Sequence, residues 1–548
     1  MTQSAATQPD SPRDATDGPV ARSAVVTNRY RDSVALMRMA AAAAEIGGVQ
    51  SVAVVMATEA NLLDAATKGF AVDSDSLGVT PTANDVFIGV IGQDRACALA
   101  LAAVSEDLAG TRASTPAAGT SGGSQPEAAA SISSAFQRVG GSAEAHSSLD
   151  GGLVSVAVIS VPAAFAASEA RKALALGMHV MLFSDNVGLD DECDLKQLAA
   201  QRGLLLMGPD CGTAMINGVP LGFANVVRRG SVTVIGASGT GMQEVMAHLH
   251  RLGSGVRQAI GCGGRDLHLR VGGSTMIQAL RLAEADGEVE AVVLVSKPPD
   301  PAVLKAVAEA ARPLIARGVP VILSATGLHH GDLAETGLHV ADSLEDAARI
   351  AFGLASAGPG VSLATATASA LIPTAGALIT TAGAPVVMTG QGETRVVGAF
   401  SGGTLKTEFV HLLRDLPANV RVHAVDFGDD EYTKGRPHPM IDPGVRDREV
   451  IRALGDPAVA VVHFDVVLGF GAASDPIGGL LKQLVVMPSD RSSLLCAHVL
   501  GTELDPQGRD GVVRRLTDAG VNVFDTNAQA ANFIRSAVTG PAREGHGS

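Results

Sequence analysis

The sequence predicts an α/β protein built on open parallel sheets. Short apolar runs, such as residues 51–56 and 232–235, alternate with amphipathic stretches of helical length, a pattern typical of βαβ units. Hydrophobic residues make up 46% of the chain and aromatic residues only 3%. Small aliphatic side chains must therefore fill the core, which suits strands covered by helices on both faces. The length of 548 residues allows three or four domains.

The alternation is interrupted by segments rich in Ala, Ser, Gly, Thr and Pro, a composition typical of linkers. We therefore expect three α/β units joined by such segments. In chain order the prediction is a disordered tail at 1–24, a Rossmann-like unit at 25–230 with a low-complexity insertion at about 105–152, a second unit at 231–355, a linker at 356–384 and a third unit at 385–540.

The second and third units are predicted to be loose copies of each other. Each has a Gly-rich turn before a helix and a later strand that ends in glycines, which suggests a structural duplication. The predicted strands are 232–235, 257–260, 291–295 and 320–323 in the second unit, and 386–389, 420–425, 459–464, 494–499 and 521–524 in the third.

Charge and cysteine content exclude several classes of protein. The net charge of −15 argues against a nucleic-acid-binding surface. The five cysteines are scattered and lack CxxC spacing, which argues against disulfides and metal sites and favours a cytoplasmic location. The first 19 residues carry no apolar run of the kind found in signal peptides, and we expect no membrane span.

Three Gly-rich turns are candidate anion sites. The first two precede helices, where free backbone N–H groups stabilise a phosphate or carboxylate. An ordinary tight turn between a strand and a helix is the alternative for each. The candidate residues are Ser238, Gly239 and Thr240 in the first turn, Gly402, Gly403 and Thr404 in the second, and Gly471, Ala472 and Ala473 in the third.

The segment 426–443, DFGDDEYTKGRPHPMIDP, concentrates charge and prolines after a predicted strand. Loops of this composition more often carry function than packing. We expect Arg436 to bind a carboxylate or phosphate, and His438 to act as an acid, base or ligand. Asp430 completes the predicted catalytic set. Alternatively, the segment is a solvated loop with local ion pairs.

A further Gly-rich strand end, GCGGRD, makes Gly263, Gly264 and Arg265 candidates for substrate binding. Glycines there would let a ligand approach the backbone, and the arginine would clamp an anion. His329 and His330 lie in another loop after a strand, where lone histidines are more often structural than catalytic.

These motifs together resemble a known family. VSVAVISVPAAFAASEARKALALGMHVMLFSDNV, LLLMGPDCGT, IGASGTGMQEV and AIGCGGRD are similar to the α subunit of succinyl-CoA synthetase. SGGTLKTE, DFGDDEYTKGRPHPMIDP and FDVVLGFGAASDP look like FdrA, a divergent branch of that superfamily. The resemblance covers about residues 31–532. It implies a Rossmann-like CoA-binding domain followed by two flavodoxin-like ligase domains.

In the synthetases, one helix of each ligase domain points its N-terminus at a phosphorylated histidine. The resemblance maps these N-termini to the turns at 238–240 and 471–473, the substrate tyrosine to Gln243, and the CoA contacts to Val161, Pro162 and Ala163. The GHAGA phosphohistidine motif and an ATP-grasp module have no counterpart, and His329 or His330 could replace the histidine only loosely.

The resemblance therefore implies an acyl-CoA synthetase-like enzyme that handles an acyl phosphate and a CoA thioester. CoA is a candidate cofactor, and no metal or nucleotide site is evident. One alternative is a subunit of oxamate carbamoyltransferase, which would act on carbamoyl phosphate and oxamate in allantoin nitrogen catabolism. Another is a non-catalytic scaffold. The expected partners are a small anionic substrate and other protein subunits, without nucleic acid or membrane.

Overall fold

The chain consists of two compact units, residues 1–124 and 125–548. The structure is a computed structural model. It describes residues 19–27, 29, 31, 33–82, 85–109, 131–138, 156–328, 333, 335–357, 394–433, 437–487 and 493–539.

The first unit is built on an antiparallel sheet with strand order β1-β3-β2. Its core contains Leu36, Val54 and Ile88 together with Cys97 and Leu108. Its elements are β1 Val20–Val26, α1 Ser33–Ala44, β2 Val49–Met56, α2 Glu59–Thr67, α3 Ser74–Leu77, β3 Val86–Gly92 and α4 Asp94–Ala109.

The structure departs from three expectations for this part of the chain. The predicted strands 51–56 and 86–91 form, but they do not join a parallel sheet with the strands that follow. The predicted tail at 1–24 overlaps strand β1, and the predicted insertion at 105–152 overlaps α4 and a short helix at 132–138. Short apolar runs carry no information about strand direction, which explains the first error.

The second unit begins with a small parallel sheet of order β4-β5-β6. Its helices cover a core that includes Ala166, Leu174, Val180 and Leu195. The elements are α5 Ile132–Arg138, β4 Val156–Ile159, α6 Ala163–Ala175, β5 His179–Leu182, α7 Leu189–Gln201 and β6 Leu206–Met207.

A seven-stranded sheet of order β13-β12-β11-β9-β10-β7-β8 follows. Strands β9 to β13 are parallel, and the hairpin β7-β8 adds antiparallel to β10. The elements are β7 Thr213–Ile216, β8 Val219–Gly222, β9 Arg229–Gly236, α8 Gly239–Arg251, β10 Val256–Gly261, α9 Ser274–Ala285, β11 Ala291–Ser296, α10 Pro301–Ala316, β12 Val321–Ala325, β13 His339–Ala341 and α11 Leu344–Ala357.

The last sheet is parallel, with five strands in the order β15-β14-β16-β17-β18. Its first strand differs from the prediction: residues 386–389 lie outside the described part of the chain, and the strand before the SGGT turn is Thr394–Phe400. The elements are β14 Thr394–Phe400, α12 Gly403–Leu412, β15 Val420–Asp426, α13 Asp430–Thr433, α14 Gly444–Leu454, β16 Val459–Val467, α15 Gly478–Val486, β17 Leu494–Leu500, α16 Arg509–Asp518, β18 Asn522–Phe524 and α17 Asn527–Thr539.

The two larger sheets repeat one topology. Numbered along the chain, the parallel strands of each follow the flavodoxin-like order 2-1-3-4-5. The helix after strand 1 is α8 in one sheet and α12 in the other, so both begin beside the point where the strand order reverses. Ligands of such folds bind at that point. Both helices contribute to one hydrophobic core, which includes Met242, Leu249, Leu405 and Phe409.

Candidate functional site

The N-termini of α8 and α12 meet. Ser238 is the N-cap of α8, and its Oγ accepts a hydrogen bond from the Gly241 N–H at 3.1 Å. The same hydroxyl donates to Thr404 Oγ1 at 2.6 Å, although the two residues are 166 positions apart. The predicted turns at 238–240 and 402–404 are therefore brought together.

The contact is reciprocal. A Cβ on Gly402 would lie 2.5 Å from Thr240 Oγ1, and one on Gly241 would lie 3.1 Å from the methyl carbon of Thr404. Glycine at 402 therefore permits the approach of the two helices. We call residues 238–241 and 401–404 the clamp. The Gly241 N–H donates to Ser238 Oγ, and the Ser401 N–H donates to the buried Asp465 carboxylate at 2.8 and 2.9 Å. The N–H groups of the first helical turns at 239–240 and 403–404, together with two helix dipoles, favour an anion.

Asp426 and Lys297 lie beside the clamp. A Cβ on Gly403 would be 2.6 Å from Asp426 Oδ2 and 3.8 Å from Lys297 Nζ. Burial raises the pKa of the Asp426 carboxyl to about 6, although the Gly428 N–H bound to Oδ1 opposes the shift. Sequence analysis missed Asp426. Its position as the last residue of β15, at the carboxyl edge of the sheet, was the available signal.

His438 lies on the same side of the clamp as Asp426. A Cβ on Gly428 would be 2.6 Å from His438 Nε2, 2.8 Å from the Ser401 carbonyl oxygen and 3.1 Å from Asp426 Oδ1. Burial lowers the pKa of His438 to about 4, so the imidazole is neutral near pH 7. Because Nδ1 accepts from the Met440 N–H, the ring proton resides on Nε2.

A small cavity of ≈ 10 Å³ opens on another face of α12. Thr404, Glu408 and His411 line it at i, i+4 and i+7, so they share one face of the helix. The opposite wall consists of residues at the ends of β11, β12 and β13, including Ser296 and Ser324. A cavity of this size holds about one water molecule.

Below the clamp, a buried polar network joins the two helices. Glu244 Oε2 pairs with His498 Nε2 at 2.9 Å, and Glu244 Oε1 accepts from the Asn527 N–H at 3.2 Å. Asn527 Nδ2 donates to Glu408 Oε2 at 2.8 Å, and the Leu344 N–H donates to Glu408 Oε1 at 2.7 Å. Asn527 thus bridges the glutamates of α8 and α12.

The two glutamates differ in proton affinity. Burial opposes ionisation of Glu244, but the charge and hydrogen bond of His498 outweigh it and lower the pKa of the carboxyl. Burial raises the pKa of Glu408 to about 7, because its two N–H donors offset only part of the loss of hydration.

The third predicted turn does not form part of the clamp. Gly471, Ala472 and Ala473 lie in a loop, and the next helix, α15, begins only at Gly478. Gly471 packs against Phe223, whose ring centroid is 6.0 Å from that of His438. The turn at 402–404, in place of 471–473, supplies the second helix N-terminus.

Two other predicted binding positions are occupied by structural contacts. Gln243 is fully buried, and its Nε2 donates to Asn225 Oδ1 at 3.2 Å. Arg265 pairs with the buried Glu192 at 2.8 Å and donates to the Val187 carbonyl.

Gly263 and Gly264 likewise serve packing. Gly263 has φ +84°, and a Cβ there would lie 2.4 Å from the Pro209 carbonyl oxygen. A Cβ on Gly264 would be 3.7 Å from Asp210 Oδ2. Gly263 therefore permits a close backbone approach to the 208–210 turn, whereas Gly264 makes only an ordinary contact with the Asp210 side chain.

Several predicted residues cannot be placed against the clamp. Arg436, His329 and His330 lie outside the described residues, and of Asp430 only the backbone, at the start of α13, is described. Val161, Pro162 and Ala163 form the entry to α6. There the backbone N–H and C=O of Val161 both bond Ser184 Oγ, at 2.9 and 2.7 Å.

Three family models match the chain. The model of the AllF heavy metal-associated domain matches residues 20–126, the CoA-binding domain model 227–326, and the CoA-ligase model 399–536. The CoA-binding match covers strands β9 to β12 with α8, and it does not include the 161–163 segment.

The relatives extend these matches to most of the chain. YahF of Escherichia coli (strain K12), described as an uncharacterized protein, is 37% identical over 533 residues, which cover 93% of this chain and 96% of YahF. The chain belongs to the FdrA family. This FdrA protein also matches succinate–CoA ligase [ADP-forming] subunit alpha 2 of Archaeoglobus fulgidus, with 32% identity over 26% of the chain and 49% of that subunit.

Among solved structures, the apo form of a dinucleotide-forming acetyl-coenzyme A synthetase 1 of Ca. Korarchaeum cryptofilum covers 71% of the FdrA chain and 83% of its own. Its identity is 14% and its TM-score 0.30. The CoA-binding and CoA-ligase models and the succinate–CoA ligase alpha subunit make parts of the chain similar to succinyl-CoA ligases.

One matching model is named for a heavy metal-associated domain, but the described residues do not offer a set of side chains that could bind a metal ion. Cys97 is the only cysteine in residues 1–124, it is buried, and its thiol contacts the Val20 carbonyl at 3.6 Å. Across the described residues, no group of three or more His, Cys, Asp or Glu side chains could hold a metal ion. Within the same part of the chain, no helix is long and apolar enough to cross a bilayer.

Proposed function

We propose that this FdrA protein catalyses acyl transfer from an acyl phosphate, and that the clamp binds the phosphoryl group. The contact of Ser238 Oγ with Thr404 Oγ1 at 2.6 Å carries the proposal. It joins two helix N-termini from separate sheets at one point, and the partial positive charges of two N-termini add at an anion.

Several groups in and beside the clamp would bind the phosphoryl oxygens. The backbone N–H groups at 239–240 and 403–404 would donate to phosphoryl oxygens. Thr404 Oγ1 accepts from Ser238, which leaves its own hydroxyl proton to donate. Lys297, next to Gly403, would supply a positive charge.

Proton transfer at the acyl group would involve Asp426 and His438. The pKa of Asp426, raised to about 6, suits a group that exchanges a proton near neutral pH. The imidazole of His438, which is neutral because its pKa is lowered to about 4, would donate a hydrogen bond from Nε2. Arg436 is proposed to anchor a substrate carboxylate, and Asp430 to orient it, since both belong to the same segment.

In the first form of the proposal, CoA accepts the acyl group and the product is a thioester. The CoA-binding and CoA-ligase family models support this form. A second form is carbamoyl transfer between carbamoyl phosphate and oxamate, without CoA. The internal hydrogen bonds of Val161 to Ser184 favour it, because they occupy the backbone groups expected to contact CoA. Either form would employ further subunits.

Calorimetric titration of the full-length chain with inorganic phosphate tests the clamp. We expect wild type to bind phosphate, and Ser238→Ala and Thr404→Val each to weaken it by about 5- to 30-fold, which corresponds to a loss of one or two kcal/mol. Asp300→Ala is the matched control. It removes the N-cap of α10, whose carboxylate accepts from the Ala302 N–H, and it should leave phosphate binding unchanged.

Product assays separate the two forms. Phosphate release from carbamoyl phosphate plus oxamate, with and without candidate subunits, supports the carbamoyl form. CoA-dependent thioester formation from an acyl phosphate supports the ligase form. Unchanged phosphate binding in both clamp variants would refute the proposal that the clamp binds the phosphoryl group. The alternative of a non-catalytic scaffold would then be preferred.

A further inference from the structure

We propose that Gln507 is a positioning residue for His438, and that it acts through the Gly-rich loop at 469–473. The inference rests on the proposed function and deepens it, because it identifies what orients the imidazole beside the clamp. It also gives a role to the third predicted turn, which supplies no helix N-terminus. Gln507 itself follows β17 and does not belong to the clamp.

The side chain of Gln507 binds the backbone at both ends of this loop. Its Oε1 accepts from the Gly469 N–H at 3.0 Å. Its Nε2 donates to the Gly469 carbonyl at 3.0 Å and to the Ala473 carbonyl at 3.1 Å. The amide thus uses both of its N–H groups and its oxygen on one loop. Because residues 469–473 lie between β16 and α15, these three bonds fix a segment that no helix or strand ladder holds.

A series of hydrogen bonds continues from the loop to His438. The Ala473 N–H donates to the Met440 carbonyl at 2.8 Å, and the Met440 N–H donates to His438 Nδ1 at 3.2 Å. The backbone of Ala473 is therefore bound by Gln507 through its carbonyl, and binds Met440 through its N–H. This series makes Nδ1 the acceptor of the ring and leaves the ring proton on Nε2.

The loop also supports the imidazole through the ring of Phe223. A Cβ on Gly471 would lie 2.6 Å from Phe223 Cδ1. The Phe223 ring centroid lies 6.0 Å from that of His438, at an interplanar angle of 34°. The Phe470 N–H donates to the Ala224 carbonyl at 2.8 Å, which ties the loop to the residue after Phe223. Displacement of the loop would thus disturb both the hydrogen bond to Nδ1 and the ring beside the imidazole.

Orientation matters because a neutral imidazole has a single N–H group to donate. In the proposed function the Nε2–H of His438 donates to the reacting group, and loss of one donor of this kind costs about 100- to 1,000-fold in kcat. If Nδ1 lost its partner, the ring proton would exchange between the two nitrogens. The ring would then present an acceptor for part of the time where the reaction needs a donor. Gln507 keeps the donor in place without touching a reacting atom.

NMR of isotopically labelled imidazole nitrogens in the full-length chain tests the inference without a substrate. The His438 signals are identified by their absence in His438→Gln. Wild type should show the proton on Nε2 and a pKa of about 4, because burial lowers it. Gln507→Ala should show both tautomers and a pKa closer to the ordinary 6.5, since a freed loop admits water. Gln507→Glu keeps the acceptor for the Gly469 N–H but loses both donors, and it should change the signals in the same direction.

Gln483→Ala is the matched control, because Gln483 also donates to a backbone carbonyl, that of Gly479 within α15 at 3.4 Å. It should leave the tautomer and the pKa of His438 unchanged. Asp426 is an ionisable group near the imidazole, whereas residues 469–473 carry none. A shift in Gln507→Ala therefore reports access of water and not the loss of a charge. An unchanged tautomer and pKa in both Gln507 variants would overturn the inference.

The product assays separate positioning from general support of the fold. Gln507→Ala should lower kcat by about tenfold or more, because a misplacement of about 1 Å can cost 100-fold, and phosphate binding should stay within about threefold of wild type. The double variant His438→Gln/Gln507→Ala should be no slower than His438→Gln, since Gln507 then has nothing left to position. Losses that multiply in the double variant would contradict the inference. A wild type that neither binds nor releases phosphate would instead refute the proposed function, and the NMR result would still decide whether Gln507 holds His438.

Discussion

The first turns of α8 and α12 carry the same residues in different surroundings. Gly239, Thr240 and Glu244 of α8 correspond to Gly403, Thr404 and Glu408 of α12. Ser238 caps α8 through its side chain, whereas the N-cap of α12 is Gly402, which has none. The duplicated fold thus supplies a symmetric pair of N-termini, and the residues around them make the two halves unequal.

The two helices differ most in the proton affinity of their matched glutamates, Glu244 and Glu408. Glu244 has a basic partner, His498, at 2.9 Å, and its pKa is lowered. Glu408 has only N–H donors, and its pKa is raised to about 7. Matched positions in one chain can therefore hold one ionised carboxylate and one carboxyl that exchanges its proton near neutral pH. Substitutions at the two positions should change the pH dependence of the free energy of unfolding in opposite directions.

The largest effect is expected from Glu244→Gln. The Glu244 carboxylate holds two buried hydrogen bonds, with His498 Nε2 and with the Asn527 N–H, and a hydrogen bond to a charged group contributes about 1.5–3 kcal/mol. We expect this loss in the free energy of unfolding near pH 7, measured by urea denaturation. Circular dichroism is the suitable signal, because the chain has no tryptophan.

The pH dependence sharpens that prediction. A carboxyl whose pKa is lowered by folding contributes stability above its unfolded pKa, and the contribution disappears as pH falls through the folded value. The deficit of Glu244→Gln should therefore shrink in acid. A deficit that stays constant with pH would indicate a lost hydrogen bond without a lost charge.

Glu408→Gln should change the pH dependence in the opposite direction. The pKa of Glu408 is raised from 4.5 to about 7, so its contribution is full below about pH 4.5 and is lost as pH rises to about 7. Wild type should lose about 3 kcal/mol across that window through this group, and the variant should not. The measurement is the difference in the slope of unfolding free energy against pH, from which any constant hydrogen-bond effect cancels. Equal slopes would show that Glu408 titrates normally.

Sequence patterns anticipated the strands and the clamp turns better than the chemistry around them. The alternation of apolar runs and the turns at 238–241 and 401–404 are local signals, and the structure has both. Strand direction is not local, so the antiparallel sheet of the first unit was missed. Asp426 and Glu408 were not chosen because their role depends on burial, which brings them against residues from distant parts of the chain.

Loops limited the prediction in a different way. Charge density drew attention to Arg436 and Asp430, whereas the described group beside the clamp is Asp426, the residue that ends the strand before them. The resemblance to the synthetases assigned the turn at 471–473 to a helix N-terminus. The helix starts only at Gly478, and sequence alone does not reveal how far a loop extends before a helix begins.

Gly402→Ala tests the closeness of the two helices. The added Cβ would lie 2.5 Å from Thr240 Oγ1 and 2.6 Å from its methyl carbon, so the helices must separate. Overpacking of this kind costs about 1–3 kcal/mol. Gly511→Ala is the control: no atom lies within 4 Å of its Cβ position, and alanine within α16 should be neutral or stabilising by up to about 1 kcal/mol. Equal stability of the two variants would argue against a close-packed clamp.

The smallest effect on stability, from Ser238→Ala, separates capping from anion binding. Loss of the hydrogen bond from the Gly241 N–H to Ser238 Oγ should cost about 1 kcal/mol, as N-cap substitutions do. Asp300→Ala removes an equivalent cap on α10 and should cost about the same. The two variants should therefore unfold at similar urea concentrations, yet only Ser238→Ala should weaken phosphate binding. If both bind phosphate as wild type does, Ser238 serves only as a cap, and the asymmetry between the helices has no part in recognising the anion.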